Sequence, residues 1–177
     1  MRSPPSVPLN KSRSGGSNNL ELKSRDVSLV AIFASIYVVL VYLFAPISFY
    51  ALQFRVAGVI RPAIAKKWIL AIGYAIGVVV SNLFSPFVGI YELIFMPVMS
   101  LVAGLCGYIV ATRLDHDYFV AGAVIATIIP FSVSWMLYQL FNFPILVTFP
   151  YTLVSEQILC FIGAVVFRAI ELRFRWW

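Results

Sequence analysis

Two carboxylates, Glu92 and Glu156, stand inside long apolar stretches of this chain. A lone charge in an apolar surround is costly, so each needs a cation, a hydrogen-bonding ligand or a neutral state. A salt bridge from either one to Arg55 is one solution, and it leaves room for a ligand in the same network. Amides accompany the carboxylates at Gln53, Asn82, Gln139 and Asn142. Trp135, Tyr138, Gln139 and Asn142 recur at i, i+3, i+4 and i+7, which is one face of a helix. Glu92, Phe95, Met96 and Met99 repeat that spacing, and Thr152 shares a face with Glu156. Aromatic walls with a few convergent amides and carboxylates suit a flat small molecule with polar edges. The same residues also suit an interfacial aromatic belt with amides bridging helices. Spacing alone does not separate the two readings.

Chemistry of other kinds has little to work with. The sequence holds no phosphate-cradling G-x-x-x-x-G-K-[ST] loop, no Cys/His metal spacing and no Ser-His-Asp set. Cys106 and Cys160 fall in apolar stretches and read as small buried hydrophobes. Asp115-His116-Asp117 offers too few ligands for a metal and reads as a solvated loop. The expectation is a protein that is not an enzyme and carries no metal and no cofactor.

The elements that position these groups follow from charge. The chain is 62% hydrophobic and only 11% charged, against about 25% charged in a soluble domain. From Val27 onward, apolar stretches are separated by short gaps. Basic residues occur before Val27, at Lys66 and Lys67, at Arg113, and at Arg168, Arg173 and Arg175. The alternate gaps, 46–52, 85–89 and 142–150, carry no charge. Cytoplasmic loops are enriched in Lys and Arg, so the two sets read as inside and outside, with both termini inside. The net charge of +6 is spread over several membrane ends and forms no single basic face, which argues against nucleic acid. The expectation is a multi-pass protein of the cell membrane, embedded in the lipid bilayer. Residues 1–26 are polar, with Pro4, Pro5, Pro8 and a Ser/Gly/Asn run, and read as a disordered cytoplasmic tail. Residues 27–177 form the membrane domain.

Five spans are long enough to cross a hydrocarbon core of ~30 Å: 27–45, 68–84, 88–112, 119–141 and 150–170. The stretch 52–65 is short and carries Arg55, Arg61 and Pro62, so hydropathy alone rejects it. Parity restores it. If 52–65 did not cross, Lys66, Lys67 and the basic C-terminus would all lie outside. If it crosses, every later loop obeys the charge rule, and Arg61 would snorkel to the inner interface. The expected fold is an all-α integral membrane protein, a six-transmembrane-helix bundle with both termini cytoplasmic. Small residues four apart, Gly73/Gly77, Ala103/Gly107 and Ala31/Ser35, allow close helix approach. The polar residues fall in the outer halves of the spans, which points to a cavity open to the outside and not to a continuous channel.

The run Ala34-Ser35-Ile36-Tyr37-Val38-Val39-Leu40, then Pro46-Ile47-Ser48-Phe49-Tyr50, Gln53-Phe54-Arg55-Val56 and Asn82-Leu83-Phe84-Ser85-Pro86 with Glu92 after it, resembles the QueT family over 27–111. Those proteins are substrate-binding (S) components of energy-coupling-factor (ECF) transporters. The resemblance implies capture of a queuosine precursor, a 7-deazaguanine, from outside. It also implies partnership with a transmembrane coupling subunit and two ATP-binding subunits, which agrees with the absent phosphate loop. Ala31 and Ser35 on the first helix would form the docking surface. The chain departs from the family at Ala57-Gly58, where a small residue is usually followed by Glu, and at Glu92, where Asp is usual. The substrate-binding candidates are Gln53, Arg55, Asn82, Glu92, Trp135, Tyr138, Gln139, Asn142 and Glu156. A carboxylate would accept paired N–H donors of a guanine-like edge, amides would serve the ring carbonyl and the remaining N–H groups, and Trp135 or Tyr138 would stack on the ring. The alternatives are an S component for another vitamin or nucleobase, or a membrane scaffold that transports nothing.

Overall fold

The computed structural model of the chain describes residues 24–48 and 55–177. Gln53 and most of the expected tail lie outside the described residues, while Ser24–Asp26 already belong to a helix. Among the described residues every regular element is helical. In chain order these are α1 (Ser24–Leu43), the short α2 (Ala45–Ser48), a 3₁₀ segment (Val56–Lys66), α3 (Leu70–Asn82), a π-turn (Tyr91–Phe95) leading into α4 (Met96–Thr112), α5 (Tyr118–Phe141) and α6 (Ile145–Glu171). Four helices are long and apolar enough to cross a membrane: α1, the π-turn with α4, α5, and α6. α3 is apolar but shorter.

Small residues decide how these helices meet, because close backbone approach is the main source of helix association in lipid. A Cβ added at Gly77 would lie 3.0 Å from the Tyr37 side chain, and one at Gly73 would lie 2.9 Å from the Val30 carbonyl oxygen. The Gly73/Gly77 seam therefore packs α3 onto α1. Ala103 is fully buried, and a Cβ at Gly107 would lie 2.7 Å from Ile125, so the second seam packs α4 onto α5. Ala31 and Ser35 differ: both are exposed on α1.

The 3₁₀ segment is the centre of the assembly. It packs against α6, α5, α1 and α4, and Ala57, Gly58, Ile60, Arg61, Pro62, Ala63, Ile64 and Ala65 are all buried. At ~2.0 Å per residue its 11 residues reach about 20 Å, against about 15 Å for the same residues in an α-helix. Irregular backbone at membrane depth is tolerated where protein, and not lipid, surrounds it. Hydropathy, which measures fitness for lipid contact, has no purchase on such a segment. Its small side chains let neighbours close in. Gly163 of α6 presses on the Val59 carbonyl, and a Cβ at Gly122 of α5 would lie 3.3 Å from Pro62.

One end of the bundle is tied by charge. Lys66 binds Glu171 at 2.8 Å and Lys67 binds Asp26 at 2.6 Å. Lys66 also lies 4.7 Å from the ring centroids of both Tyr118 and Trp177, and Arg25 donates to the Trp176 carbonyl. His116 is not fully solvated: its Nδ1 is 2.8 Å from the Ala65 carbonyl oxygen, in a turn where Asp115 and His116 both have positive φ. Asp117 then caps α5, its carboxylate accepting from Phe119 N and Val120 N. No cluster of His, Cys, Asp and Glu able to hold a metal occurs among the described residues.

Candidate functional site

At the opposite end, four element boundaries each bury a polar group. Ser48 closes α2, Arg55 precedes the 3₁₀ segment, Asn82 closes α3 and Glu92 lies in the π-turn; their exposures run from 0% to 3%. Asn82 Nδ2 donates to the Glu92 carbonyl at 2.7 Å, which ties the end of α3 to the π-turn. Ser48 Oγ, Asn82 Oδ1 and one carboxylate oxygen of Glu92 have no hydrogen-bond partner among the described residues. Buried polar atoms are otherwise almost always paired, and these open atoms make this end of the bundle the candidate site. π-turns within α-helices also recur at functional sites.

The π-turn resets the register of the face read from the sequence. Glu92 and Met96 are buried, while Phe95 and Met99 are half-buried. Phe95 meets Trp135 of α5 at 4.8 Å between ring centroids, and Tyr91 meets the same indole at 5.9 Å. The structure thus brings Glu92, Asn82 and Trp135 to one neighbourhood and adds Tyr91 and Phe95, which spacing alone had not singled out as a pair about Trp135. Tyr138, Gln139 and Asn142 continue along α5 but are exposed. Asn142 ends the helix in a left-handed conformation with φ 54°, the role Asn commonly takes at a helix C-terminus.

Glu156 belongs to a deeper layer. α6 starts at Ile145 and carries Pro150 inside it, so the helix does not begin at Pro150 as its sequence implies. Glu156 consequently sits about 16 Å down the helix from Ile145 at 1.5 Å per residue, near the middle of its 27 residues. Its partner is Arg61, through Arg61 Nη1 and Glu156 Oε2, and not Arg55. Arg61 does not snorkel to the inner interface either: it is fully buried. Its guanidinium lies 5.1 Å from the Tyr74 ring centroid, and Tyr74 packs edge-on to Tyr37 at 5.3 Å. Gly58 makes this pair possible, since a Cβ there would sit 2.9 Å from Glu156 Oε2. The carboxylate of Glu156 therefore occupies the space directly above residue 58, the position at which the resemblance leads one to expect Glu.

The buried polar groups thus include two linked sets, Asn82 with Glu92 and Arg61 with Glu156, Tyr74 and Tyr37. The sequence singled out Asn82 and Glu92 of the first and Glu156 of the second, and it did not single out Arg61, Tyr37 or Tyr74 as its companions. Neither the comparison with curated proteins nor that with solved structures gives a match. The family model described as QueT transporter matches residues 27–172. With a match over most of its length, and with apolar helices able to cross a membrane several times, this chain belongs to the QueT transporter family.

Proposed function

We propose that this multi-pass membrane protein is the substrate-binding component of an ECF-type importer and captures a queuosine precursor, a 7-deazaguanine, from outside the cell. Six crossings would place both termini in the cytoplasm, with the 3₁₀ segment serving as the second. A transmembrane coupling subunit and two ATP-binding subunits would supply the power stroke. The observation that carries the reading is the buried Glu92, with an unpartnered carboxylate oxygen, beside an aromatic group of Tyr91, Phe95 and Trp135. A carboxylate accepts the paired N–H donors of a guanine edge, and aromatic rings cover its faces. Arg55 would organise the carboxylate end, with Gln53, Gln139 and Asn142 near the entrance. A second reading, a different nucleobase or vitamin, is favoured by Gly58 and by Glu92, the two positions where the chain departs from the family pattern.

The topology is tested with single cysteines in a background lacking Cys106 and Cys160. Cysteines at Phe87 and Phe143 should react with an impermeant reagent from outside, and those at Ser14, Arg113 and Arg173 should not. Labelling at Arg113 would remove the 3₁₀ segment as a crossing.

The transport role is tested at α1. Ala31 and Ser35 lie on its exposed face, and the Ser35 hydroxyl is turned back to the Ala31 carbonyl at 2.8 Å. That leaves a smooth strip on which a coupling helix can approach closely. Ala31→Leu or Ser35→Leu should abolish uptake of a 7-deazaguanine precursor while calorimetry on the purified variant shows unchanged binding. Loss of binding together with uptake would mean the strip supports the fold and is no docking surface.

A further inference from the structure

The π-turn leaves one backbone carbonyl without a helical partner. In an α-helix the Glu92 carbonyl would receive the N–H of Met96, but here that N–H goes to the Tyr91 carbonyl, one residue further back. In the wider π register the donor would come from residue 97, which is proline and has no N–H. Pro97 sits in the first turn of α4 and is buried there. A buried carbonyl with no donor is costly. Asn82 supplies the missing bond from the end of α3, through Nδ2 at 2.7 Å.

This bond settles which way the amide lies. A carbonyl oxygen can be met only by the NH2 arm, so Oδ1 is the arm turned away from the Glu92 backbone. That oxygen lies on a side chain 0% exposed and has no donor among the described residues. Satisfying the Glu92 carbonyl does not account for it, since a hydroxyl would do so without burying a second polar atom. Glu92, at the other end of the same link, likewise buries a carboxylate oxygen with no partner among the described residues. Both open atoms are acceptors.

We propose that Asn82 is a specificity-determining acceptor for an amino hydrogen of the ligand, and that Pro97 is the positioning residue that fixes it in this role. This rests on the binding role proposed above, and it narrows the ligand class to heteroaromatic rings carrying an amino group next to a ring N–H. The Glu92 carboxylate takes the ring N–H and one amino hydrogen. The second amino hydrogen points away from the ring N–H, and Asn82 Oδ1 takes it. Asn82 consequently does not serve the ring carbonyl, because its open arm has no hydrogen to give.

The test compares 7-deazaguanine with 7-deazahypoxanthine, which keeps the ring N–H and the carbonyl and lacks the amino group. Calorimetry on the purified full-length protein should show the amino compound binding at least about tenfold more tightly, since one hydrogen bond to the charged Glu92 and one to Asn82 are lost together. In Asn82→Leu, which keeps the volume and removes Oδ1, that preference should shrink by about two- to tenfold while the part due to Glu92 remains. Pro97→Ala returns an N–H to the Glu92 carbonyl and frees the Asn82 amide to turn. It should shrink the preference in the same direction, and it decides the matter if Asn82→Leu fails to fold. A wild-type preference retained in the folded variant overturns the inference and leaves the site reading standing. A wild-type protein that binds neither compound, or both equally, overturns the site reading, and this inference with it.

Discussion

Replacing Arg61 with leucine should destabilise the protein by about 3–5 kcal/mol, the cost of stranding one member of a buried ion pair. Three features put the effect at this scale. Arg61 is completely enclosed. Its partner Glu156 lies mid-helix with a side chain only 6% exposed, too deep to reach water by bending. The pair also joins the 3₁₀ segment to α6, the two elements that Gly163 and Val59 bring into backbone contact. Glu156→Leu should cost a comparable amount by stranding Arg61. The double variant, Arg61→Leu with Glu156→Leu, should recover most of either loss, because two apolar groups in an apolar interior leave no charge to desolvate. Thermal unfolding in detergent provides the double-mutant cycle. Single-variant losses that simply add in the double variant would mean the two side chains stabilise the fold independently.

Glu92→Gln is the second large effect, and it concerns affinity. The substitution preserves volume but replaces an acceptor with a donor, so a paired N–H edge would face an N–H. Loss of a hydrogen bond to a charged group is worth about 1.5–3 kcal/mol, or roughly a tenfold to 150-fold weaker Kd for a 7-deazaguanine. Glu156→Gln should weaken binding less and stability more, because its Oε2 is already committed to Arg61 while Glu92 retains an open oxygen. Titration calorimetry on both variants, each checked for folding, separates the two roles. A larger affinity loss in Glu156→Gln at unchanged stability would reverse the assignment.

What the sequence disclosed and what it hid follow from the physics each signal measures. Gly73/Gly77 and Ala103/Gly107 were readable as packing seams because small residues at helical spacing have one structural use in lipid. Glu92 and Asn82 were readable because polar groups in apolar spans must be enclosed or paired, and both are enclosed. The stretch around Arg61 escaped hydropathy, which scores contact with lipid, because the 3₁₀ segment is buried among the other helices. Arg55 and Arg61 could not be told apart as partners of Glu156, because that choice depends on where α6 begins. Proline at 150 is an ordinary start signal, yet the helix runs through it from Ile145. Helical spacing put Trp135 on one face with Tyr138, Gln139 and Asn142; the structure sets Trp135 against Tyr91 and Phe95, and spacing could not say how far along α5 the neighbouring helices extend. Tyr138 and Gln139 therefore share a face with Trp135 by spacing and remain exposed. The π-turn was invisible for a related reason: a five-residue change of register leaves no compositional mark.

The most direct test of the central claim is the identity of the small molecule that co-purifies with the detergent-extracted protein, determined by mass spectrometry. The account predicts a 7-deazaguanine in the wild type, depleted in Glu92→Gln and retained in Ala31→Leu. A compound with no paired N–H donor edge, or a 7-deazaguanine held equally by wild type and by folded Glu92→Gln, would contradict it.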